Sequence, residues 1–456
     1  MKVCKFGGTS VASAKQIQKV VNIIKEDAER KIIVVSAPGK RFADDVKVTD
    51  LLIELSNEAL KKCSVEKALE NVLSRYRSIA NELGLNEDII HVIEDDLRHR
   101  LTTDQQDETL FIDTMKAAGE DNHAKLIAAY FNHIGMKATY ACPKEAGLLV
   151  RERPERVQAL PEGYAQMAKL KEVDGLIVFP GFFGYTKTGT LRTFNRGGSD
   201  ITGSLIAAAV DATLYENFTD VDSVYSANPT VVDHPVAIEK MTYREMRELS
   251  YAGFSVFHDE ALRPAFLKSI PVCIKNTNNP SAPGTMIVQH RDHSKQPVIG
   301  IAADNGFSTL FVEKYLMNQE IGFGRRLLQI LEDEEISFEH TPSGIDNMSV
   351  IIRNEYLTEE NRTKMIRRII EELRADDVHF RETDYSMIML VGEGMRHTKG
   401  LTARAAAAIA RTESNIEMIN QGSSEVSLVF GIDQKDEEKV LKELYKEFFQ
   451  EASLLV

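Results

Sequence analysis

The 456-residue sequence contains no apolar run long enough to cross a membrane, which would need about 20 consecutive apolar residues. Cysteine is sparse: Cys4, Cys63, Cys142 and Cys273 are too scattered for a zinc site or a disulfide framework, and all four are expected to be buried thiols. No His/Cys cluster has metal spacing and no Ser/His/Asp arrangement stands out, so His258 and His290 are expected in the core or on the surface. Positive charge is in deficit, with 55 Lys and Arg against 69 Asp and Glu and a formal net charge of -14. That balance disfavours nucleic acid or an anionic membrane as the main partner. An anionic substrate would have to be held against this field by local lysine, arginine, helix termini and a metal ion. The chain opens in strand-like sequence with no leader, and a cytoplasmic location is expected.

The composition is otherwise that of an ordinary folded protein, 43% hydrophobic and 27% charged, long enough for two or three domains. Met1 to Phe6 alternates as a short buried strand, and Ile17, Val20, Val21 and Ile24 then recur at helical spacing. Lys5-Phe6-Gly7-Gly8-Thr9-Ser10 is therefore a strand-to-helix turn. Gly7 and Gly8 let a backbone approach a ligand closely, Thr9 and Ser10 add hydroxyls, and unpaired N–H groups with Lys5 beside them suit a phosphate. On the residues alone, a tight connection with a solvated lysine is the lesser alternative.

Ile32-Ile33-Val34-Val35-Ser36 reads as a strand buried on both faces, completing a βαβ unit, and Ala37 to Thr49 as a charged surface loop at its carboxyl end. Asp50 to Gly119 is helical in period. Alternation resumes with a helix through Leu126, Ile127, Tyr130 and Phe131 stopped by Gly135, and with strands at 138–141, 175–179, 213–218 and 271–275. This implies one large three-layer α/β domain ending near Gln296 and Pro297. Beyond it, strands at 308–314, 337–341, 348–353 and 378–380 and helices from Phe323 and around Met365 are followed by the same order of elements again. Gly322 and Gly400, like Ser349 and Ser427, lie 78 apart. Two copies of a small βαββαβ unit follow the large domain.

Four patches fall at predicted junctions, where an α/β fold gathers its site. After Lys5 to Ser10 comes Gly119-Glu120, read as opening a helix, where Glu120 is either a cap or a functional acid. The third is Arg196-Gly197-Gly198-Ser199-Asp200: Ser199 or Asp200 could cap the next helix, or Arg196 could fork a carboxylate while Asp200 accepts from an ammonium or orients a metal-bound water. The fourth, Thr219-Asp220-Val221-Asp222 running on to Tyr225, suits Mg²⁺ or a turn. Gly181 and Gly184 permit a close approach or a bulge. Together the patches suit phosphoryl transfer, which needs positioned charge more than a protein nucleophile.

With these motifs, with Val35-Ser36-Ala37, and with Gln421-Gly422-Ser423-Ser424-Glu425 in the second repeat, the chain resembles the aspartate kinases end to end. These are amino acid kinases with tandem ACT domains. The resemblance implies an α/β three-layer amino acid kinase fold with a mainly parallel sheet over residues 1–297. Two ferredoxin-like ACT domains would follow at 298–382 and 383–456, able to interleave. It implies ATP- and Mg²⁺-dependent phosphorylation of L-aspartate to 4-phospho-L-aspartate, the first step toward lysine, threonine and methionine, with no resident metal ligands in the protein. Lysine and/or threonine would be the feedback effector, and a dimer or tetramer would form through the ACT domains.

By the same resemblance Lys5 and Asp200 are catalytic, Lys5, Gly7 and Gly8 meet the phosphates, and Thr219, Asp220 and Tyr225 line the nucleotide. Ser36, Ala37, Thr49, Glu120, Arg196, Gly197 and Gly198 hold aspartate. Met317, Glu320, Gly322, Phe323, Gly324, Ser337, Phe338 and Glu339 match an effector loop and strand. The chain departs from the family where Ser255 replaces a nucleotide-contacting lysine, for which Lys275 is a candidate substitute, and in the long loop from Pro38 to Lys47. A different carboxylate acceptor such as glutamate, or a sensor with an inactive kinase-like domain, are the competing functions.

Overall fold

The computed structural model describes residues 1–153, 156–195, 197–254, 259–294, 296–381, 384–422 and 424–450. Arg196, Ser255, His258 and Ser423 lie outside them. Contacts divide the described residues into two compact units. The first takes those of Met1–Val224, Ala237–Met246 and Ser255–Arg291, and the second those of Tyr225–Val236, Arg247–Phe254 and Asp292–Val456.

In the first unit β1 (Lys2–Phe6) leads through a short 3-10 turn into α1 (Ala14–Glu26) and β2 (Arg30–Val35). Ser13 caps α1 by accepting from the Gln16 N–H, and Ile17, Val20, Val21, Ile23 and Ile24 form its buried face. Four helices follow: α2 (Val48–Leu60), α3 (Glu66–Glu82), α4 (Asp88–Leu101) and α5 (Glu108–His133). Then come β3 (Ala138–Tyr140), the hairpin β4 (Val150–Arg153) and β5 (Arg156–Ala159), α6 (Tyr164–Met167), β6 (Leu176–Pro180), and the hairpin β7 (Phe183–Tyr185) and β8 (Leu191–Thr193). α7 (Gly198–Ala209), β9 (Leu214–Thr219), β10 (Lys240–Thr242), the start of α8 (Tyr243–Tyr251), whose residues from Arg247 belong to the second unit, α9 (Arg263–Leu267), β11 (Val272–Asn276) and β12 (Thr285–Val288) complete the series.

Eight of these strands form one sheet in the order β10-β12-β11-β9-β1-β2-β6-β3, with only β11 and β12 antiparallel. β1 lies between β2 and β9, with Lys5 level with Val34 on one side and Asn217 on the other. Alternation along β1 decides which way its side chains face. Cys4 and Phe6 join the apolar cluster built with α1 to α5, where Phe6 stacks on Phe218 at 4.7 Å. Val3 and Lys5 consequently point to the opposite layer, and Lys5 meets α7 there. Burying each Val or Ile of this cluster is worth about 1.5–3 kcal/mol. One ion pair is sealed into the sheet: Arg30 forks Glu216 at 2.7 and 2.9 Å.

The second unit carries β13 (Gly300–Glu313), α10 (Phe323–Asp333), β14 (Asn347–Arg353), α11 (Glu359–Leu373), β15 (Asp377–Phe380), β16 (Tyr385–Val391), α12 (Leu401–Arg411), β17 (Met418–Asn420), β18 (Ser427–Asp433) and α13 (Glu437–Tyr445). Its sheet runs β14-β13-β16-β18-β17, with β15 also on β13. The repeat is visible in the backbone: Gly322 and Gly400 both precede an 11-residue helix at φ 80°, a conformation costly for any residue with a Cβ. β13 serves both repeats. Its first half pairs with β16, and its second half with β14 and β15.

Three expectations are corrected. Glu120 does not open a helix but sits in the middle of α5, because Gly119 is continuous with the helix and packs against Ala37 and Leu52. Residues 337–341 form no strand, only a bridge at His340, since Pro342 has no N–H to continue a ladder. Of the cysteines, Cys4 and Cys273 are buried, while Cys142 is half-buried and Cys63 is exposed on the turn after α2. His290 is on the surface.

Candidate active site

The parallel register brings the carboxyl ends of β1, β2, β6 and β9 to one edge, so the loops after them meet. At this edge Lys5 Nζ lies 2.6 Å from Asp200 Oδ1, with both side chains largely buried. Asn217 Nδ2 donates to the same Oδ1 at 2.6 Å, and the Tyr215 hydroxyl donates to the Asp200 carbonyl at 3.2 Å. Asp200 is therefore not a cap. Gly197 holds the N-cap position of α7, and no side chain caps that helix. Gly181 packs against Ser199, where a Cβ would come within 2.5 Å of Oγ, so it is a close approach rather than a bulge.

The glycine turn is pinned on two sides. Gly7 N–H donates to Phe218 O at 3.1 Å, and Gly8 O accepts from Gly39 N–H at 2.9 Å. A Cβ on Gly39 would sit 2.6 Å from the Gly8 carbonyl carbon, so the loop after β2 rests directly on the turn. Ser36 is half-buried and Ala37 buried at the start of that loop, and Thr49 is half-buried in the first turn of α2. Thr277 donates to the buried Ser10 hydroxyl at 2.7 Å.

Glu120 lies beside Ala37. It is buried, and its Oε2 has no hydrogen-bond partner among the described residues. Burial pushes its carboxyl up to about 8 against the opposing pull of the Ala37 N–H, Lys116 and Lys5. An acid desolvated in this way and left with an open oxygen is a candidate functional group.

On the side of β9, Thr219 is half-buried and Asp220 exposed. Thr9 Oγ1 donates to Asp220 Oδ2 at 3.4 Å. Asp222 accepts from two residues distant in the chain, Asn276 Nδ2 at 2.7 Å and Asn279 Nδ2 at 3.3 Å. Tyr225 belongs to the second unit. Lys275 is half-buried on β11, level with Phe218.

Of the effector candidates, Met317 and Phe323 are buried in the core of the first repeat with Leu310 and Ile330. Glu320 is paired with both Lys314 and Arg326. Gly322, Ser337 and Phe338 are exposed, and Gly324 is half-buried. Glu339 accepts from Arg353 Nε at 2.9 Å and from the Tyr251 hydroxyl.

Asn217 escaped the sequence reading. Its only signal was register, since it stands opposite Lys5 on the neighbouring strand.

A lysine and a carboxylate at the edge of a parallel sheet, a glycine turn against them and a buried acid nearby define a phosphotransferase that acts on a small charged acceptor. Residues 1–276 match the amino acid kinase family and residues 388–448 the ACT domain. The chain is 56% identical to aspartokinase 3 of Bacillus subtilis over 98% of its length and 99% of that protein. The crystal structure of Clostridium acetobutylicum aspartate kinase superimposes with a TM-score of 0.88 at 35% identity, covering 98% of this chain and 100% of that one. E. coli aspartokinase III shares the fold at 22% identity, with TM-scores of 0.77 in complex with aspartate and ADP and 0.76 with lysine and aspartate, each covering 99% of this chain and 100% of that one. The chain belongs to the amino acid kinase family, among its aspartokinases. The ACT match accords with allosteric control of the kinase. No helix among the described residues is long and apolar enough to cross a membrane.

Proposed function

We propose that this aspartokinase transfers the γ-phosphoryl group of ATP to the β-carboxylate of L-aspartate, giving ADP and 4-phospho-L-aspartate. The observation that carries this assignment is the pairing of Lys5 with Asp200 on one side of the glycine turn and the open, buried Glu120 on the other. Lys5, with Gly7 and Gly8, holds the transferring phosphates, and Asp200 with Asn217 fixes the lysine. A β-carboxylate oxygen near Ser36, Ala37 and Thr49 forms the new bond to phosphorus as the bond to the β,γ-bridging oxygen breaks. ADP leaves with the electron pair, so catalysis is positioning and charge neutralisation.

Glu120 takes the ammonium of aspartate, Arg196 with Gly197 and Gly198 its α-carboxylate, and Thr219, Asp220 and Tyr225 the nucleotide. Mg²⁺ would be carried on the phosphates of the nucleotide rather than held as a resident ion. Asp200, beside Lys5 at the same sheet edge, is the carboxylate that would help hold it. When bound, Mg²⁺ spreads the charge of the β- and γ-phosphates.

The ACT repeats, through Met317 to Gly324 and Ser337 to Glu339, take lysine and/or threonine at an interface between copies of the chain, in a dimer or tetramer working in the cytoplasm. ADP release measured with aspartate, with glutamate and with neither tests the assignment. Turnover should require aspartate and Mg²⁺, and equal rates with glutamate, or none with aspartate, would overturn it.

A further inference from the structure

Helices α3 and α4 have no role in the chemistry described so far, yet α3 reaches both sides of the acceptor site. α3 contributes two consecutive buried residues, Arg75 and Tyr76, 6% and 0% exposed. Arg75 Nη2 donates to the Gly39 carbonyl at 2.9 Å and Nη1 to Asp45 Oδ2 at 2.6 Å. Asp45 in turn accepts from the backbone N–H of Arg41 at 2.9 Å and from its Nε and Nη2 at 2.8 and 2.9 Å. The long loop after β2 is thus closed on itself by one carboxylate and tied to α3 by one guanidinium. Gly39, the residue it grips, is the one that rests on Gly8.

Tyr76 points to the other side. Its hydroxyl donates to the Gly119 carbonyl at 2.9 Å, one residue before Glu120. A Cβ on Gly119 would come within 2.8 Å of the Ala37 side chain, so this turn of α5 is pressed against the start of the same loop. Charge-assisted and buried hydrogen bonds of this kind are the strong and directional ones. A misplacement of about 1 Å at a reacting group can cost on the order of a hundredfold in rate.

We propose that Arg75 and Tyr76 are positioning residues for the acceptor. From one turn of α3, Arg75 sets the loop that carries Ser36 to Thr49 against the glycine turn, and Tyr76 sets Glu120 against that loop. The pair thereby governs affinity for aspartate and leaves nucleotide affinity alone. This rests on the assignment of the acceptor to the space between the loop and Glu120.

The test is the steady-state kinetics of Tyr76→Phe, Arg75→Met and Arg75→Lys with each substrate varied in turn. Tyr76→Phe removes a single hydroxyl and keeps the ring in place, so it reports even if Arg75→Met does not fold. Expected are rises in aspartate KM of about fivefold for Tyr76→Phe and about tenfold or more for Arg75→Met, partly restored in Arg75→Lys, with ATP KM within about twofold. Equal rises in both KM values, or a fall in kcat alone as from a smaller folded fraction, would overturn the proposal. Glu120→Gln separates the two levels. If it raises aspartate KM while the α3 variants do not, the positioning role fails alone. If it leaves aspartate KM unchanged, the placement of the acceptor fails.

Discussion

Glu120 offers the most quantitative prediction, because its function and its contribution to stability should oppose each other. In the folded protein its carboxyl is pushed from an ordinary 4.5 to about 8 by burial. The folded state therefore keeps a proton that the unfolded chain releases. Between those limits native stability falls as pH rises, by about 1.4 kcal/mol per pH unit, reaching roughly 3 kcal/mol by pH 7 and levelling above about 8. Glu120→Gln mimics the protonated acid and removes this term. The variant should lose aspartate binding and yet resist urea better than the native protein, by a margin that is near zero at pH 4.5 and grows to pH 8. Aspartate should reverse the effect. At pH 7 about nine-tenths of the carboxyl is protonated, so an incoming ammonium drives it to ionise and close to one proton is released per aspartate bound. Urea midpoints from pH 5 to 9 and calorimetry in buffers of different ionisation enthalpy measure the two effects. Parallel stability curves for the two proteins across that range, or no proton release on binding, would refute the reasoning.

Lys5→Ala should cost rate far more than fold, since Asp200 keeps Asn217 as a partner and removal of one charge-stabilising group typically costs roughly a hundredfold to a thousandfold in kcat; activity beside a thermal melt checks this, and a lost cooperative melt would contradict it. Titration of lysine and threonine, singly and together, against initial rate should show inhibition equivalent to a coupling of about 1–3 kcal/mol, and Glu339→Ala should weaken it without changing the uninhibited rate.

The parts of the fold legible in the sequence were those set by local pattern. α10 begins at the expected Phe323, and the glycines that revealed the repeat stand at matching left-handed caps. The turn from Lys5 to Ser10 was legible because glycine pairs and strand periodicity are local signals. What stayed hidden depends on residues distant in the chain. Glu120 was misplaced at a helix start because Gly119 reads as a breaker, whereas Ala37 and Leu52 pack where its side chain would be. Asn217 and Arg75 act through cross-strand register and a contact across 36 residues, which no window of sequence displays. Neither reading of Asp222, Mg²⁺ ligand or turn former, foresaw that Asn276 and Asn279, 54 and 57 residues away, donate to its oxygens.

The shared strand β13 decides how this half of the chain can be taken apart. Because Gly300 to Asp304 pair with β16 and Phe307 to Glu313 with β14, neither copy owns a complete sheet. A cut between the copies would leave half a strand without its ladder and expose a raw edge prone to pairing with other chains. Any boundary drawn between the copies therefore has to divide β13 itself.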